Sequence, residues 1–204
     1  MRRECVVSAA GNRPAGTRPP RRFLAIGLPA APARAVRAAT QHLRGEGARL
    51  RATSPERLHL TLAYLGEVDA AAASQAVEVV RRCLAEVAPR PAPRLQIAGA
   101  GRFGDRVLLL EVSDDPPGAL AGVVASLQTG LRAAGFDLPA RRFRAHVTLA
   151  RAGGRTRVRA GDVARIDVPP VAWRPAAVGL WASAPPGQPG PYVVETEVAW
   201  PAPG

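Results

Sequence analysis

From Arg22 onward, the hydrophobic and polar positions of the chain follow strand and helix periods in turn. Short apolar runs that end at Pro or Gly are typical of buried strands, whereas longer Ala-rich stretches with apolar residues at helical spacing are typical of amphipathic helices. The pattern predicts helices at 32–44, 69–87 and 117–134, and strands at 23–29, 57–66, 95–103, 107–112, 143–150, 172–182 and 192–199. Asp69 is the expected N-cap of the second helix, and a tight turn at Gly104 and Asp105 is expected to join a hairpin.

Residues 1–21 are rich in Gly, Pro, Ala and Arg and lack apolar periodicity. Segments of this composition bury too little apolar surface to fold, so we expect a flexible N-terminal tail. Residues 22–204 are then expected to form one domain. A Pro- and Gly-rich loop is expected at 184–191, between the last two strands.

The order strand, helix, strand occurs twice, at 23–66 and at 107–150. The segments RLHLTLA (57–63) and RAHVTLA (144–150) agree at five of seven positions. A repeat of this kind indicates an internal duplication. We therefore expect two similar lobes related by a pseudo-twofold axis.

Both repeated segments carry a histidine and a threonine on one face of a strand. Successive side chains of a strand point to opposite faces, so the apolar residues between them belong to the core. If the lobes face each other, one groove receives Arg, His and Thr from both sides. The side chains concerned are Arg57, His59 and Thr61 in the first segment and Arg144, His146 and Thr148 in the second.

Two imidazoles on opposite sides of one groove suit the hydrolysis of a cyclic phosphodiester. The reaction needs a base on the attacking water and an acid on the departing ribose oxygen, and one group cannot easily serve both sides. Histidine fits either role, because its reference pKa of about 6.5 lies near neutrality. Arg and Thr donors would stabilise the charge on the nonbridging oxygens, and a metal ion is then not required.

The chain is strongly basic, with a formal net charge of +12, and each of its 28 cationic side chains is Arg. Clustered cations favour a polyanionic partner such as nucleic acid, and guanidinium groups bind phosphate in bidentate geometry. A genome that favours Arg codons would also produce part of this charge. For the Arg-rich segments 141–144 and 151–159, an RNA backbone groove and a solvated surface are both open interpretations.

The hydrophobic fraction of 47% and the charged fraction of 22% are those of an ordinary globular protein. No apolar run has the length of a membrane-spanning helix or a signal peptide, so we expect a cytoplasmic protein without a membrane contact. Cys5 and Cys83 are too few and too differently placed to predict a disulfide framework or a metal site.

Two H-x-T-x motifs on strands of a duplicated chain resemble the 2H phosphoesterase family. The resemblance is strongest to its bacterial RNA 2′,3′-cyclic phosphodiesterase branch, formerly called 2′-5′ RNA ligase. It covers nearly everything from Arg22 onward and is carried by RRFLAIGLP, SPERLHLTLAYLGEV, GRFGDRVLLLEV and RRFRAHVTLAR, and by a closing hairpin with Trp181, Ser183 and Tyr192.

The resemblance implies a bilobal, internally duplicated α+β fold, in which two antiparallel sheets line a central cleft and helices lie outside. It implies hydrolysis of 2′,3′-cyclic phosphate ends of RNA or nucleotides to 2′-phosphates, without a metal or cofactor. Nothing in the sequence suggests an obligate interface, so we expect a monomer. The resemblance implies that His146 is the base and His59 the acid. The two segments are too similar for the sequence alone to assign these roles. The expected phosphate-binding residues are Thr61, Thr148, Arg151 and Arg144, and Phe103 is expected to stack on a base.

Three positions depart from the family pattern: Ala145 stands where Pro is usual, Leu109 where Trp is frequent, and Gly27 where Asp is frequent. None of them belongs to the His and Thr quartet. The departures therefore concern contacts to the nucleoside more than the chemistry.

Other interpretations of the two histidines stay open. The same pair would serve ligation of RNA halves through a 2′-5′ bond, and a noncatalytic RNA-end binding module would use it only to hydrogen-bond phosphate. Zinc binding would need a third ligand, and neither of the two repeated segments contains a Cys, Asp or Glu for it. The third histidine, His42, is expected at the surface of the first helix.

Overall fold

The computed structural model describes residues 19–43, 49–87, 90–183 and 192–201, and the fold is α+β, as expected. Within these residues the strands are β1 (Arg21–Gly27), β2 (Arg51–Ala52), β3 (His59–Glu67), β4 (Arg94–Phe103), β5 (Val107–Asp115), β6 (His146–Arg151), β7 (Ala172–Trp173), β8 (Ala177–Ala182) and β9 (Val193–Ala199). The α-helices are α1 (Ala30–Ala39), α2 (Ala70–Val87), α3 (Ala119–Ala133) and α4 (Ala160–Ala164).

The strands form one curled antiparallel sheet in the order β7-β4-β5-β6-β3-β1-β8-β9, with β2 paired to β6. The two expected sheets correspond to the two halves of this sheet. One half contains β7, β4, β5 and β6, and the other contains β3, β1, β8 and β9. Between them, β3 and β6 are joined through the register pair Leu60 and Val147. The two lobes therefore meet at the strands that carry the repeated motifs.

The main core lies between one face of the sheet and helices α2 and α3. Leu60, Leu110 and Val147 contribute to it from the sheet and are fully buried. The helices approach each other closely at Gly130, where a Cβ atom would lie 2.9 Å from Cγ1 of Val79. By strand alternation, the polar neighbours of Leu60 and Val147 lie on the opposite face of the sheet. In the described part of the chain, no helix has the length and apolarity needed to cross a membrane.

The prediction of one strand over 172–182 is wrong, because the segment forms two strands in different halves of the sheet. β7 pairs with β4, whereas β8 pairs with β1. Pro175 lies between them and has no N–H to donate to a strand ladder. The chain therefore leaves one half of the sheet and enters the other at 174–176.

The first predicted helix is shorter than expected. α1 ends at Ala39, and Gln41–Leu43 form a separate 3-10 turn on which His42 is exposed. The predicted end of the helix, Arg44, lies outside the described residues, as do residues 1–18 of the expected tail and the expected loop at 184–191. β1 begins at Arg21, one residue before the expected domain boundary.

Local capping follows the sequence pattern at α2, where Oδ1 of Asp69 accepts a hydrogen bond from the N–H of Ala72 at 2.9 Å. The hairpin of β4 and β5 turns after Phe103, as predicted. Two short elements, β2 and α4, were not predicted. In α4, Oδ2 of Asp162 accepts from the N–H of Arg159 at 2.7 Å and so caps a helix that begins directly after the Arg-rich segment 151–159.

An ion pair bridges β1 and β9, which lie on either side of β8 in the sheet. Arg22 on β1 is 9% exposed and donates through Nε and Nη2 to Glu195 on β9, at 2.7 and 2.8 Å. It also donates through Nη1 to the carbonyl of Val68. The guanidinium fork therefore fixes the strand that carries Phe23 against the closing hairpin.

Removing the carboxylate of this pair is expected to destabilise the protein. In Glu195→Ala, Arg22 keeps its charge but loses both charged hydrogen bonds, so we expect the free energy of unfolding to fall by about 2 kcal/mol. The matched control is Glu78→Ala, which removes an exposed i,i+3 partner of Arg81 and should cost less than about 0.5 kcal/mol. Urea unfolding measures both values, and equal losses would contradict the structural role of Arg22.

Candidate active site

His59 is the first residue of β3, and its ring lies next to the backbone of the residues that precede the strand. Its Nδ1 lies 2.7 Å from the carbonyl oxygen of Arg57. A carbonyl oxygen can only accept, so Nδ1 of the neutral ring carries the proton and Nε2 keeps the free lone pair. The R-x-H spacing thus fixes both the tautomer and the ring orientation.

His146 repeats this arrangement at the start of β6. Its Nδ1 lies 2.8 Å from the carbonyl oxygen of Arg144, which again leaves Nε2 free. Each repeat therefore presents one imidazole whose Nε2 can accept a proton or, once protonated, donate one.

The junction of β3 and β6 sets the positions of the two motifs relative to each other. The pair Leu60 and Val147 is antiparallel. One step along each strand therefore places Thr148 across from His59, and His146 across from Thr61. The two histidines are then diagonal neighbours, a relation that separates Cα atoms by about 7–8 Å in an antiparallel pair. All four polar side chains are partly buried.

Three aromatic rings surround the imidazole of His59. The ring centroids of Phe23, Trp181 and Tyr192 lie 4.9, 5.4 and 5.4 Å from that of the histidine. The guanidinium carbon of Arg57 lies 4.2 Å from the Tyr192 centroid, in cation–π geometry. We call Phe23, Trp181 and Tyr192 the aromatic cage.

Trp181 lies against the backbone of its own strand and of β1 because two glycines leave room for it. A Cβ atom at Gly179 would lie 2.6 Å from Nε1 of Trp181, and one at Gly27 would lie 3.4 Å from Cζ2. Gly27 is one of the departures from the family pattern. Any larger residue at Gly179 would displace the indole and, with it, one wall of the cage.

His146 has a more open surrounding. The centroid of Phe103 lies 4.7 Å away, edge to face, and the guanidinium carbon of Arg144 lies 5.1 Å from the Phe103 centroid. Arg144 in turn donates to Oε1 of Glu111, which pairs with His146 in the strand register. Phe103, expected to stack on a base, thus contacts both a histidine and an arginine of the repeat.

Burial lowers the pKa of both histidines. The pKa of His59 falls to about 4, chiefly because burial disfavours the charged ring, and the charges of His146, Arg151 and Arg57 lower it further against the opposing effect of the Arg57 carbonyl. The pKa of His146 is also lowered, first by burial and then by nearby arginines, Arg151 foremost. Both rings are therefore mainly neutral near pH 7 when the groove holds no anion.

A cleft of about 830 Å³ opens beside the junction. Six of the residues expected in the site line it: Thr61, Phe103, Arg144, His146, Thr148 and Arg151. His59 is not among the lining side chains, and its neighbours are the rings of the aromatic cage. His146 therefore faces the cleft, whereas His59, which is also only partly buried, is surrounded by the rings of the cage.

The aromatic cage and Glu111 were missed by the sequence analysis. Phe23 and Ala25 alternate with Leu24 and Ile26, which assigns Phe23 to the groove face, but a strand buried on both faces hides this signal. In the structure, Phe23, Ala25 and Trp181 form a second, small hydrophobic cluster separate from the main core. Among the described residues, no group of three or more His, Cys, Asp or Glu side chains is arranged to hold a metal ion.

The fold and the paired H-x-T motifs are those of the 2H phosphoesterase class. Residues 29–185 match the family described as the 2′-5′ RNA ligase superfamily, and the chain belongs to that superfamily. No curated protein sequence matches this chain.

Solved structures share the fold. Escherichia coli LigT complexed with 3′-AMP has 25% sequence identity and a TM-score of 0.69, with 89% of this chain and 98% of that chain covered. The protein TT0787 of Thermus thermophilus has 23% identity and a TM-score of 0.66, with 88% and 97% covered. The PDE domain of MHV ns2 has 14% identity and a TM-score of 0.56, with 81% and 99% covered.

The low pKa of His59 makes folding stability depend on pH. The unfolded ring takes up a proton near pH 6.5 but the folded ring only near pH 4, so the unfolded state binds more protons between these values and stability falls as the pH falls. From pH 7 to pH 5 this contribution amounts to about 1–2 kcal/mol. We expect His59→Gln to lose less stability over that range than the parent protein.

The matched control is His42→Gln, because His42 is exposed on the turn after α1. It should keep the pH dependence of the parent in urea unfolding at each pH. NMR titration of the His59 ring gives an independent measurement, and a midpoint near 6.5 would show that the cage does not shield the ring.

Proposed function

We propose that the protein hydrolyses 2′,3′-cyclic phosphate ends of RNA or nucleotides to 2′-phosphates, with His59 and His146 as its acid–base pair and no metal ion. One observation carries the proposal: both imidazoles are held through Nδ1 by a backbone carbonyl, with Nε2 free, on diagonal positions of the junction. Two such nitrogens supply the two proton transfers that the reaction needs.

In the proposed reaction, a water oxygen attacks phosphorus and the bond from phosphorus to O3′ breaks. Nε2 of His146 takes a proton from the water, and Nε2 of protonated His59 gives one to O3′. The 2′-phosphate remains on the ribose, and the two histidines exchange protons with solvent before the next turnover. Atoms and charges balance without a further reactant.

The different surroundings of the two rings support this assignment of roles. His146 lines the open cleft, where water reaches it, which suits a base that activates water. His59 has three aromatic rings around it, and a ring with less contact to water suits an acid whose proton goes to the leaving oxygen. A bound phosphate anion favours the charged imidazole and thus raises the pKa of His59 toward the range where it acts as an acid.

The hydroxyls of Thr61 and Thr148 are assigned to the nonbridging oxygens, since each lies across from a histidine at the junction. Arg151 lines the cleft and its charge acts on both histidines, which supports a place beside the same phosphate. Arg144 is held by Glu111 and stacks on Phe103, so it is a preorganised second donor. Such donors stabilise charge that develops on the phosphoryl oxygens.

The related structures agree with a phosphate-bearing ligand. Escherichia coli LigT has been crystallised with 3′-AMP, with ATP and with phosphate. A nucleotide with a terminal phosphate fits the cleft of this protein in size and charge, since ligand pockets of several hundred Å³ are usual for such molecules.

Each catalytic histidine is expected to be essential for turnover of a nucleoside 2′,3′-cyclic monophosphate in the presence of EDTA. His59→Ala and His146→Ala should each lower kcat by about 10²–10⁴-fold, the usual contribution of a positioned acid or base. His42→Ala is the matched control and should keep parent activity. A folded parent protein that turns over neither the cyclic mononucleotide nor a cyclic-ended oligonucleotide would refute the proposal.

A phosphodiester with an activated leaving group, such as p-nitrophenolate, distinguishes the acid from the base. This leaving group departs without protonation. On that substrate, the loss of activity in His59→Ala should therefore be at least about tenfold smaller than the loss in His146→Ala. The measurement is the pH–rate profile of both variants. The opposite order would exchange the roles of the two histidines and leave the cyclic phosphodiesterase activity itself in place.

A noncatalytic RNA-end binding protein is the alternative from another class. It predicts that both His→Ala variants keep RNA affinity and that the parent protein shows no turnover. Ligation through a 2′-5′ bond uses the same two histidines in the reverse sense. It is tested by incubating a cyclic-ended RNA with an RNA that has a free 5′-hydroxyl and by looking for the joined product.

A further inference from the structure

The cleft extends past Thr61, His146 and Thr148 into a space between β3 and the segment 138–144 that precedes β6, which we call the wedge. Besides the residues expected in the site, its lining includes Tyr64, Gln128, Arg141, Arg142 and Phe143. Nothing in the proposed hydrolysis uses these side chains. The volume of about 830 Å³ lies in the upper part of the range that is usual for ligand pockets.

The charges that line the cleft are not balanced within the protein. Arg141, Arg142, Arg144 and Arg151 line it, and no carboxylate of a described residue does. Arg144 is paired with Glu111, whereas the guanidinium groups of the other three form no ion pair with any described residue. A cyclic phosphodiester carries one negative charge and compensates one of them. Two unpaired arginines are therefore left for further anions.

The two remaining arginines lie near the reaction site. The charge of Arg141 lowers the pKa of His146, so its guanidinium is within electrostatic reach of that ring. Arg142 is the next residue and faces the same cleft. Neighbouring guanidinium groups without carboxylates suit phosphates that follow one another along a chain.

The wedge also offers an exposed aromatic ring. Tyr64 is 42% exposed, although it lies in a strand whose other apolar residues are mostly buried. Nε2 of Gln128 donates to the carbonyl of Leu62 at 3.3 Å, which holds the amide at the cleft wall. An aromatic face beside a positively charged path is the usual platform for single-stranded nucleic acid.

We propose that Arg141, Arg142 and Tyr64 form a subsite for the nucleotides that precede the cyclic-phosphate end of an RNA strand. This inference rests on the proposed function, because it takes the cyclic phosphate to lie between the two histidines. The arginines bind the upstream phosphates and Tyr64 stacks on an upstream base. An oligonucleotide end, rather than a mononucleotide, is then the better substrate.

The test compares a trinucleotide that ends in a 2′,3′-cyclic phosphate with the cyclic mononucleotide of the same terminal base. In about 50 mM salt, kcat/KM of the parent protein should be about tenfold higher for the trinucleotide, and this advantage should fall about sevenfold at about 200 mM salt if two phosphate contacts are made. The double variant Arg141→Gln/Arg142→Gln should lower kcat/KM much more for the trinucleotide than for the mononucleotide. Tyr64→Leu should lower the trinucleotide value about tenfold.

The matched control is Arg34→Gln/Arg37→Gln, which removes the same charge from two positions of α1. It should leave the kcat/KM values of both substrates as in the parent protein. Equal kcat/KM values for the two substrates in the parent, or an equal loss of the trinucleotide advantage in the control variant, would overturn the subsite.

Affinity for the product separates a failure of the subsite from a failure of the proposed function. Fluorescence anisotropy of a 5′-labelled trinucleotide with a terminal 2′-phosphate, with competition by the mononucleotide 2′-phosphate, needs no turnover. Tighter binding of the trinucleotide that depends on Arg141 and Arg142 supports the subsite even if no substrate is hydrolysed. Turnover of both cyclic substrates without any such preference supports the proposed function and overturns the subsite.

Discussion

The geometry of the whole site depends on the pairing of Leu60 with Val147 at the centre of the sheet. Both side chains are fully buried in the main core, so the register at this junction is held by the hydrophobic effect. A shift of one residue on either strand would turn a histidine and a threonine into the core and two apolar side chains into the groove. The cost of burying those polar groups therefore fixes the diagonal placement of the histidines.

The internal duplication supplies two similar strands, but the surroundings make the two histidines unequal. Each ring is fixed by a carbonyl two residues earlier, so this part of the arrangement is local and repeats with the sequence. The cage around His59 comes from β1 and the closing hairpin, whereas His146 has Phe103 and the open cleft. Under the proposed mechanism, asymmetric burial is the physical means by which one motif would serve as an acid and its copy as a base.

The sequence predicted the features that depend on short-range periodicity. The α+β class, the hairpin after Phe103 and the Asp69 cap all follow from alternation or from turn and cap chemistry. The break at Pro175 was visible in the sequence, but the pairing partners of β7 and β8 were not, because strand order depends on contacts far apart in the chain. The same holds for the aromatic cage, whose members come from positions 23, 181 and 192.

The free protein carries an electrostatic strain that an anion would relieve. Burial and, after it, nearby arginines lower the pKa of both histidines, and the unpaired guanidinium groups in the empty cleft repel one another. A phosphate bound beside Arg151 would neutralise part of this charge and favour the protonated form of His59 at the same time. Under the proposed mechanism, protonation of the acid would then be coupled to occupancy of the site. Such a groove would keep both imidazoles mainly neutral until an anionic substrate favours the protonated form of one of them.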